Sequence, residues 1–268
     1  MCLVRVGSAY GIRPDRRQSV KCSSVSTADH NRSDRRKALI ALPLLFATPA
    51  FAGSFVAPEG CTTYLTVQSR GCYVANYYTC EADPAGHKWR ADFDQEGPFF
   101  LSRIDDETQW IESIELNPAV TQTLDANPED PASFTNLTET GRDDFVFSLS
   151  KDNGEHSNVV GFDQLTGRTI TIDGVTLDET QFEYTETDDA GTVLRQARGN
   201  EYISREFRMF FSGSSEWDDG NGNWLPMDSH PIKFFRDGDK GFESTQPIFD
   251  CDAVLSQLSR KGLTHDNL

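Results

Sequence analysis

Between Cys61 and Phe249 the chain repeats one pattern: short runs rich in Thr, Val, Ile, Phe and Tyr, each bounded by Gly, Asp or Asn. Apolar and polar residues alternate with a period of two, which puts every second side chain on the same face. The runs therefore read as antiparallel strands with one buried face. The plainest unit is Ile170-Thr171-Ile172-Asp173-Gly174-Val175-Thr176-Leu177. An Asp-Gly turn there pairs Ile172 with Val175 and Ile170 with Leu177, leaving Thr171 and Thr176 on the opposite face. Phe182 and Tyr184 alternate with polar neighbours, Asp188-Asp189-Ala190-Gly191 supplies a turn, and residues 192–197 return. Ile203, Phe207, Met209 and Phe211 fall on one side of the next predicted strand, Ser204, Glu206 and Arg208 on the other, with Arg205 interrupting the inner row. Residues 218–223 then connect Trp217 to Trp224, which predicts a hairpin in which the two indoles meet.

Helix signals are few. Asp130 as N-cap, Pro131 at the first helical position and Gly141 as a stop bracket a helix over residues 131–140. A second follows Asp252, with Val254, Leu255 and Leu258 on one face, Arg260-Lys261 in the last turn and Gly262 as its cap. Strands in succession without intervening helices predict a mainly-β fold, an antiparallel meander forming a barrel, a half-open cup or a sandwich, with two short peripheral helices.

Upstream of the strands, Arg35-Arg36-Lys37 precede the apolar run Ala38 to Phe46, and Ala50-Phe51-Ala52 closes it. A positive segment, a short apolar segment and an A-x-A site make a cleaved signal peptide, with the cut between Ala52 and Gly53. Crossing a bilayer takes about 20 apolar residues, and Ala38 to Ala52 is shorter and interrupted by Pro43 and Pro49, so a membrane anchor is the weaker reading. No later stretch is long or apolar enough to span. Arg35-Arg36 partly matches a twin-arginine signal, but Asp34 before the pair and Ala38 after it favour general export. Residues 1–34 show no hydrophobic periodicity and belong to an extended leader or to a start assigned too far upstream. The organisation expected is thus a leader over 1–52 and a single mainly-β domain over 53–268 in the periplasm.

Removing the leader sharpens the composition. Residues 53–268 carry 39 acidic and 16 basic side chains, a formal charge of −23, with no basic run. Polyanion binding needs clustered cations, so nucleic acid is not expected as a partner and anionic membrane surfaces are disfavoured, while cationic partners or divalent ions remain permitted. Cys61, Cys72, Cys80 and Cys251 remain after the cut, an even number in an exported chain, and predict two disulfides. If Arg70-Gly71 is a two-residue turn, counting outward sets Cys61 opposite Cys80 and leaves Cys72 for Cys251. Cys72 and Cys80 on one extended strand would lie about 26 Å apart, too far to bond each other.

Catalytic signatures are missing from the sequence. There is no G-x-S-x-G, no C-x-x-C and no H-E-x-x-H. His87, His156, His230 and His265 are widely spaced and read as surface or turn residues. Asp219, Asn221 and Asn223 imitate a calcium loop, yet Trp224 stands where that loop needs Gly, so a hairpin turn is the better reading. Among 39 acidic residues some pair falls within glycosidase distance by chance, so their number alone carries nothing. Trp89, Trp110, Trp217 and Trp224 default to packing. No cofactor or metal is expected.

Gly71-Cys72 through Cys80-Glu81, the segment Ile104-Asp105-Asp106-Glu107-Thr108-Gln109-Trp110, Leu165-Thr166-Gly167 and the segment from Gly199 to Arg208 resemble, with the leader, a family of uncharacterised exported proteins from alphaproteobacteria. The resemblance implies a periplasmic location and carries no information on activity. The function expected is non-catalytic binding of an amphiphilic ligand or an envelope partner. The alternatives are a carboxylate-based envelope hydrolase and a structural or assembly protein of the cell envelope.

Overall fold

The alternating runs become thirteen strands of one antiparallel sheet. A computed structural model describes residues 53–251 other than Asp219 and Asn221. The leader with Ala52 and the helix expected after Asp252 lie outside the described residues. Hairpins follow one another along the chain: β1 (Cys61–Ser69) with β2 (Tyr73–Cys80), β3 (Lys88–Asp94) with β4 (Gly97–Ile104), and β5 (Trp110–Leu116) with β6 (Ala119–Leu124). After helix α1 (Phe134–Thr140) come β7 (Arg142–Lys151) and the long β8 (His156–Ile172). β9 (Val175–Thr187), β10 (Val193–Ser204), β11 (Met209–Asp218), β12 (Trp224–Asp228) and β13 (Pro231–Phe235) complete the sheet. Each strand pairs with its predecessor except β13, which crosses to the far edge and pairs with β1.

The Asp-Gly unit folds as its turn chemistry dictates. Asp173 and Gly174 both adopt positive φ, 48° and 83°, and Ile172 pairs with Val175 and Ile170 with Leu177. This hairpin tip then caps another strand. The Asp173 carboxylate accepts the Phe234 backbone N–H at 3.0 Å and the Lys233 ammonium at 2.7 Å, which blunts the free edge of β13.

Of the architectures expected, a closed barrel is not realised in the ladder, because no hydrogen-bonded pair joins β12 to β13 and the sheet is open. Pro226 and Pro231 put residues without an N–H into the two strands that would have to pair. Only Ser229 and His230 separate those strands, however, so the chain itself ties one edge of the sheet to the other. Packing follows the same path: Leu65 and Val67 of β1 and Ala75 and Tyr77 of β2 cluster with Val175 and Leu177 of β9, Met209 and Phe211 of β11, and Phe234. A second cluster joins Phe145, Phe147 and Leu149 of β7 to Val159, Phe182 and Tyr184, with Trp110 edge-on to Phe147 and Tyr184. Each fully buried aliphatic residue such as Leu177 contributes about 1.5–3 kcal/mol.

β2 is buried on both faces. Val74 and Tyr78 pack with Ala91, Phe93 and Phe55 on its outer side, where residues 243–250 also lie. There a buried polar row is fully matched: Thr66 Oγ1 donates to Asn76 Oδ1 at 2.7 Å and accepts Glu243 N–H, Asn76 Nδ2 donates to the Ser244 carbonyl, and Gln68 bonds the backbone at Gln246 and Ile248. Pairing satisfies groups that would otherwise be costly to bury, so the C-terminal strap has one register on β1 and β2.

Three expectations need correction. The helix begins later than read, with Ser133 rather than Asp130 as N-cap: its Oγ accepts Asn136 N–H, and Gly141 closes the helix in the left-handed region as foreseen. It is the one helix among the described residues. The strand drawn through Ile203 to Phe211 is a hairpin, in which Ser204 pairs with Met209 across residues 205–208. Arg208 takes φ 46° there, Ser204 Oγ accepts the Phe207 N–H, and Arg205 is held by Asp178. Trp217 and Trp224 do not meet, because Trp217 pairs with Leu225 and Asp218 with Trp224, which puts the indoles on opposite faces.

Candidate functional site

Two turns at one end of the sheet build a cavity of about 600 Å³. Between β7 and β8, Glu155 N–H bonds Asn153 Oδ1 at 3.0 Å and the Glu155 carboxylate takes the Lys151 ammonium at 2.7 Å. Between β9 and β10, the Asp188 carboxylate accepts the N–H groups of Ala190 and Thr192 at 2.9 and 2.7 Å, and Gly191 supplies φ 82°. Each turn is therefore shaped by its own sequence. Lys151, His156, Glu186, Asp189, Leu194 and Arg195 face the space between them. Glu186 is buried and accepts the Ser157 hydroxyl at 2.7 Å.

His156 links three segments here. Its Nδ1 lies 2.5 Å from Asp189 Oδ1 on the β9–β10 turn and its Nε2 3.0 Å from Asp125 Oδ2, just after β6. Asp125 is anchored in turn by the Ser150 hydroxyl, 2.7 Å from Oδ1. A ring with a carboxylate at each nitrogen must donate from both, and only the imidazolium can. Asp189 first and Asp125 second hold the His156 pKa above the usual histidine value. Asp125 is lowered, chiefly by the Ser150 hydroxyl and then by His156.

A second concavity of about 830 Å³ crosses the solvent face of β8 to β12, lined by Arg168, Gln181, Glu183, Arg198, Asn200 and Glu216 among others. Its cations are already engaged: Arg168 on Glu179, and Arg198 on Glu216 at 3.0 Å while lying over the Trp224 ring at 4.0 Å.

The inner face carries carboxylates. Asp143 pairs with Asp163 across β7 and β8, Asp163 with Phe182 across β8 and β9, and Glu201 with Thr180 across β9 and β10, so all project to one side. Burial and then the neighbouring Glu201 push Asp163 well above the ordinary carboxylate range, although part of its surface stays accessible within the fold. Burial raises Glu201 as well, against the pull of Arg90 on β3. This pair retains protons where exposed acids have lost them. Among the described residues no group of three His, Cys, Asp or Glu could hold a metal ion.

The cysteines singled out in the sequence stand away from these sites. The structure joins Cys61 to Cys80 and Cys72 to Cys251. The register that brings the first pair together differs from simple counting: the turn is one residue longer, so Ser69 pairs with Tyr73, and a bulge at Tyr64 restores Cys61 opposite Cys80. Gly53 at the expected cleavage site lies against the strap, its carbonyl accepting the Thr245 hydroxyl at 2.6 Å. Asp218 caps its own turn by accepting Gly220 N–H at 2.6 Å, while Asp219 and Asn221 of the calcium-like loop lie outside the described residues.

Sequence reading passed over His156, because its partners are 31 and 33 residues away. The sole signal was its place directly after an Asp-Asn-Gly-Glu turn. Comparison with protein families, with characterised protein sequences and with solved structures finds no match to this chain.

Proposed function

We propose that the protein is exported to the periplasm and serves there as a non-catalytic binding protein that takes an amphiphilic ligand at the rim cavity. One observation carries the reading. The cavity sets the charged groups of Lys151, His156, Glu186 and Arg195 beside Leu194, and Leu194 and its neighbour Val193 are each 52% exposed. A polar head among the charges and an aliphatic portion over Leu194 satisfy both halves of that surface. Export is supported by the leader and by two disulfides, which persist in an oxidising compartment. No helix among the described residues is long and apolar enough to cross a membrane.

The test is amide shift mapping with dodecylphosphocholine below its micelle concentration. Shifts confined to residues 151–157 and 186–195, and lost in Leu194→Glu with the rest of the spectrum kept, are expected. Shifts scattered over the surface, or none, remove the reading. An envelope protein offering an aliphatic side chain beside a charge would occupy the same surface. The hydrolase alternative has one observation in its favour, the proton-retaining pair Asp163 and Glu201. Glycan turnover abolished in both Asp163→Asn and Glu201→Gln, with folding kept, would support it.

A further inference from the structure

We propose that Asp125, His156 and Asp189 form a protonation-operated latch that holds the β9–β10 turn down beside the rim cavity, closed when the imidazole carries two protons and released when it carries one. The proposal rests on reading that cavity as the binding site, and it concerns access to it.

The chemistry follows from the donor count. A neutral imidazole has one N–H and one lone pair. Set between two carboxylates at 2.5 and 3.0 Å, it must turn its lone pair toward one of them, and that contact becomes repulsive and breaks. The two sides are not equally fixed. Asp125 keeps the Ser150 hydroxyl at 2.7 Å, and its own N–H bonds the Ser148 carbonyl at 3.0 Å. Asp189 has a side chain 70% exposed, with Asn158 Nδ2 at 3.5 Å as its other contact. Release therefore falls on Asp189. Asp188 shapes the turn through Ala190 and Thr192, and a turn no longer pinned to the ring opens those bonds more often.

Each of the other charged groups around the ring belongs to an element packed against it. Lys151 on β7 is paired with Glu155 of the β7–β8 turn, Glu186 on β9 accepts the Ser157 hydroxyl, Asp188 is bonded to its own turn, and Arg195 stands at the start of β10. Lysine, arginine and ordinary carboxylates do not titrate near pH 7, which leaves the imidazole as the responsive group. Its two acidic partners hold its pKa above about 6.5, so the latch opens on the alkaline side of that value. A protein in the periplasm meets the pH of its surroundings, and the latch would tie access to that pH.

The experiment is hydrogen exchange of the turn amides in the full protein from pH 5.5 to 8.5, corrected for intrinsic exchange, beside a proton NMR titration of His156. Protection over residues 187–193 is expected to fall several-fold in step with the imidazole titration. His156→Gln, whose N–H donors sit on one nitrogen while its other end is an acceptor that cannot serve a second carboxylate, should exchange at pH 5.5 as fast as the wild type does at 8.5, without pH dependence. Asp189→Asn serves as a second variant on an exposed site. Its amide accepts from the charged ring or donates to the neutral one, so the contact persists and the pH dependence disappears. Turn protection that stays flat while His156 titrates overturns the latch, as does a pH dependence that survives in both variants. Exchange is read without ligand, so absent dodecylphosphocholine shifts at both pH values refute the binding reading alone.

Discussion

Removing the Cys72–Cys251 bridge should destabilise the protein by about 2 kcal/mol more than removing the Cys61–Cys80 bridge. The bridges span 179 and 19 residues, and the freedom each takes from the unfolded chain grows as the logarithm of that span. Chain-entropy costs come to about 5 kcal/mol for the long loop and about 3 kcal/mol for the short one. The folded state has reason to survive either loss. Without the long bridge, the strap keeps its bonds from Thr66, Gln68 and Asn76, Cys72 N–H still reaches the Phe249 carbonyl, and Arg70 still pairs with Asp250 at 2.8 Å. Without the short one, β1 and β2 keep their ladder. The comparison uses the paired variants Cys72→Ala/Cys251→Ala and Cys61→Ala/Cys80→Ala in urea under non-reducing conditions. The long-bridge variant should also show the larger m value, because its unfolded chain is less constrained. Equal costs, or a larger cost for the short bridge, would refute the reasoning and place the bridge energy in native contacts.

Gly161→Ala should lower the melting temperature, because a Cβ there falls 2.5 Å from the Glu183 carbonyl oxygen and 2.7 Å from the Phe145 ring, an overpacking cost of about 1–3 kcal/mol. Asp163→Asn and Glu201→Gln should raise stability at pH 7. The folded protein holds protons that the unfolded chain releases, so wild-type stability declines as pH rises from the ordinary carboxylate range through the raised folded pKa values, and urea midpoints from pH 4 to 8 should show that decline reduced in the variants. Glu107→Gln should cost about 1 kcal/mol at neutral pH, because this carboxylate accepts Thr135 N–H and the Ser133 and Thr135 hydroxyls at the start of α1 and pairs with Arg208. Burial works against it, but those donors leave its pKa below the usual value, so the stabilisation is present above the unfolded glutamate pKa and lost as pH falls through the folded one; acid titration of the wild type and not of the variant should show that loss.

Much of the fold was legible in local pattern. A period of two identified strands, and Asp173-Gly174 set its own register because few residues accept positive φ at both central positions of a two-residue turn. Gly141 marked the helix end for the same reason. Where local cues failed, a distant contact had intervened: Ser133 displaced Asp130 as the cap beside the waiting Glu107 carboxylate, and Arg205 and Arg208 turned a predicted strand into a hairpin by reaching Asp178 and Glu107. Cys61 faces Cys80 only because a longer turn and the bulge at Tyr64 shift the register in opposite directions, which no count along the sequence contains. The rim cavity lay beyond such reading altogether. Asp125, His156 and Asp189 each look like surface residues in their own segment, and it is the return of β7 to β10 to one end of the sheet that brings one imidazole between two carboxylates. Backbone periodicity and turn chemistry act between neighbours and are written in the chain, whereas charge pairing and strand closure depend on distances that exist only once the sheet has coiled.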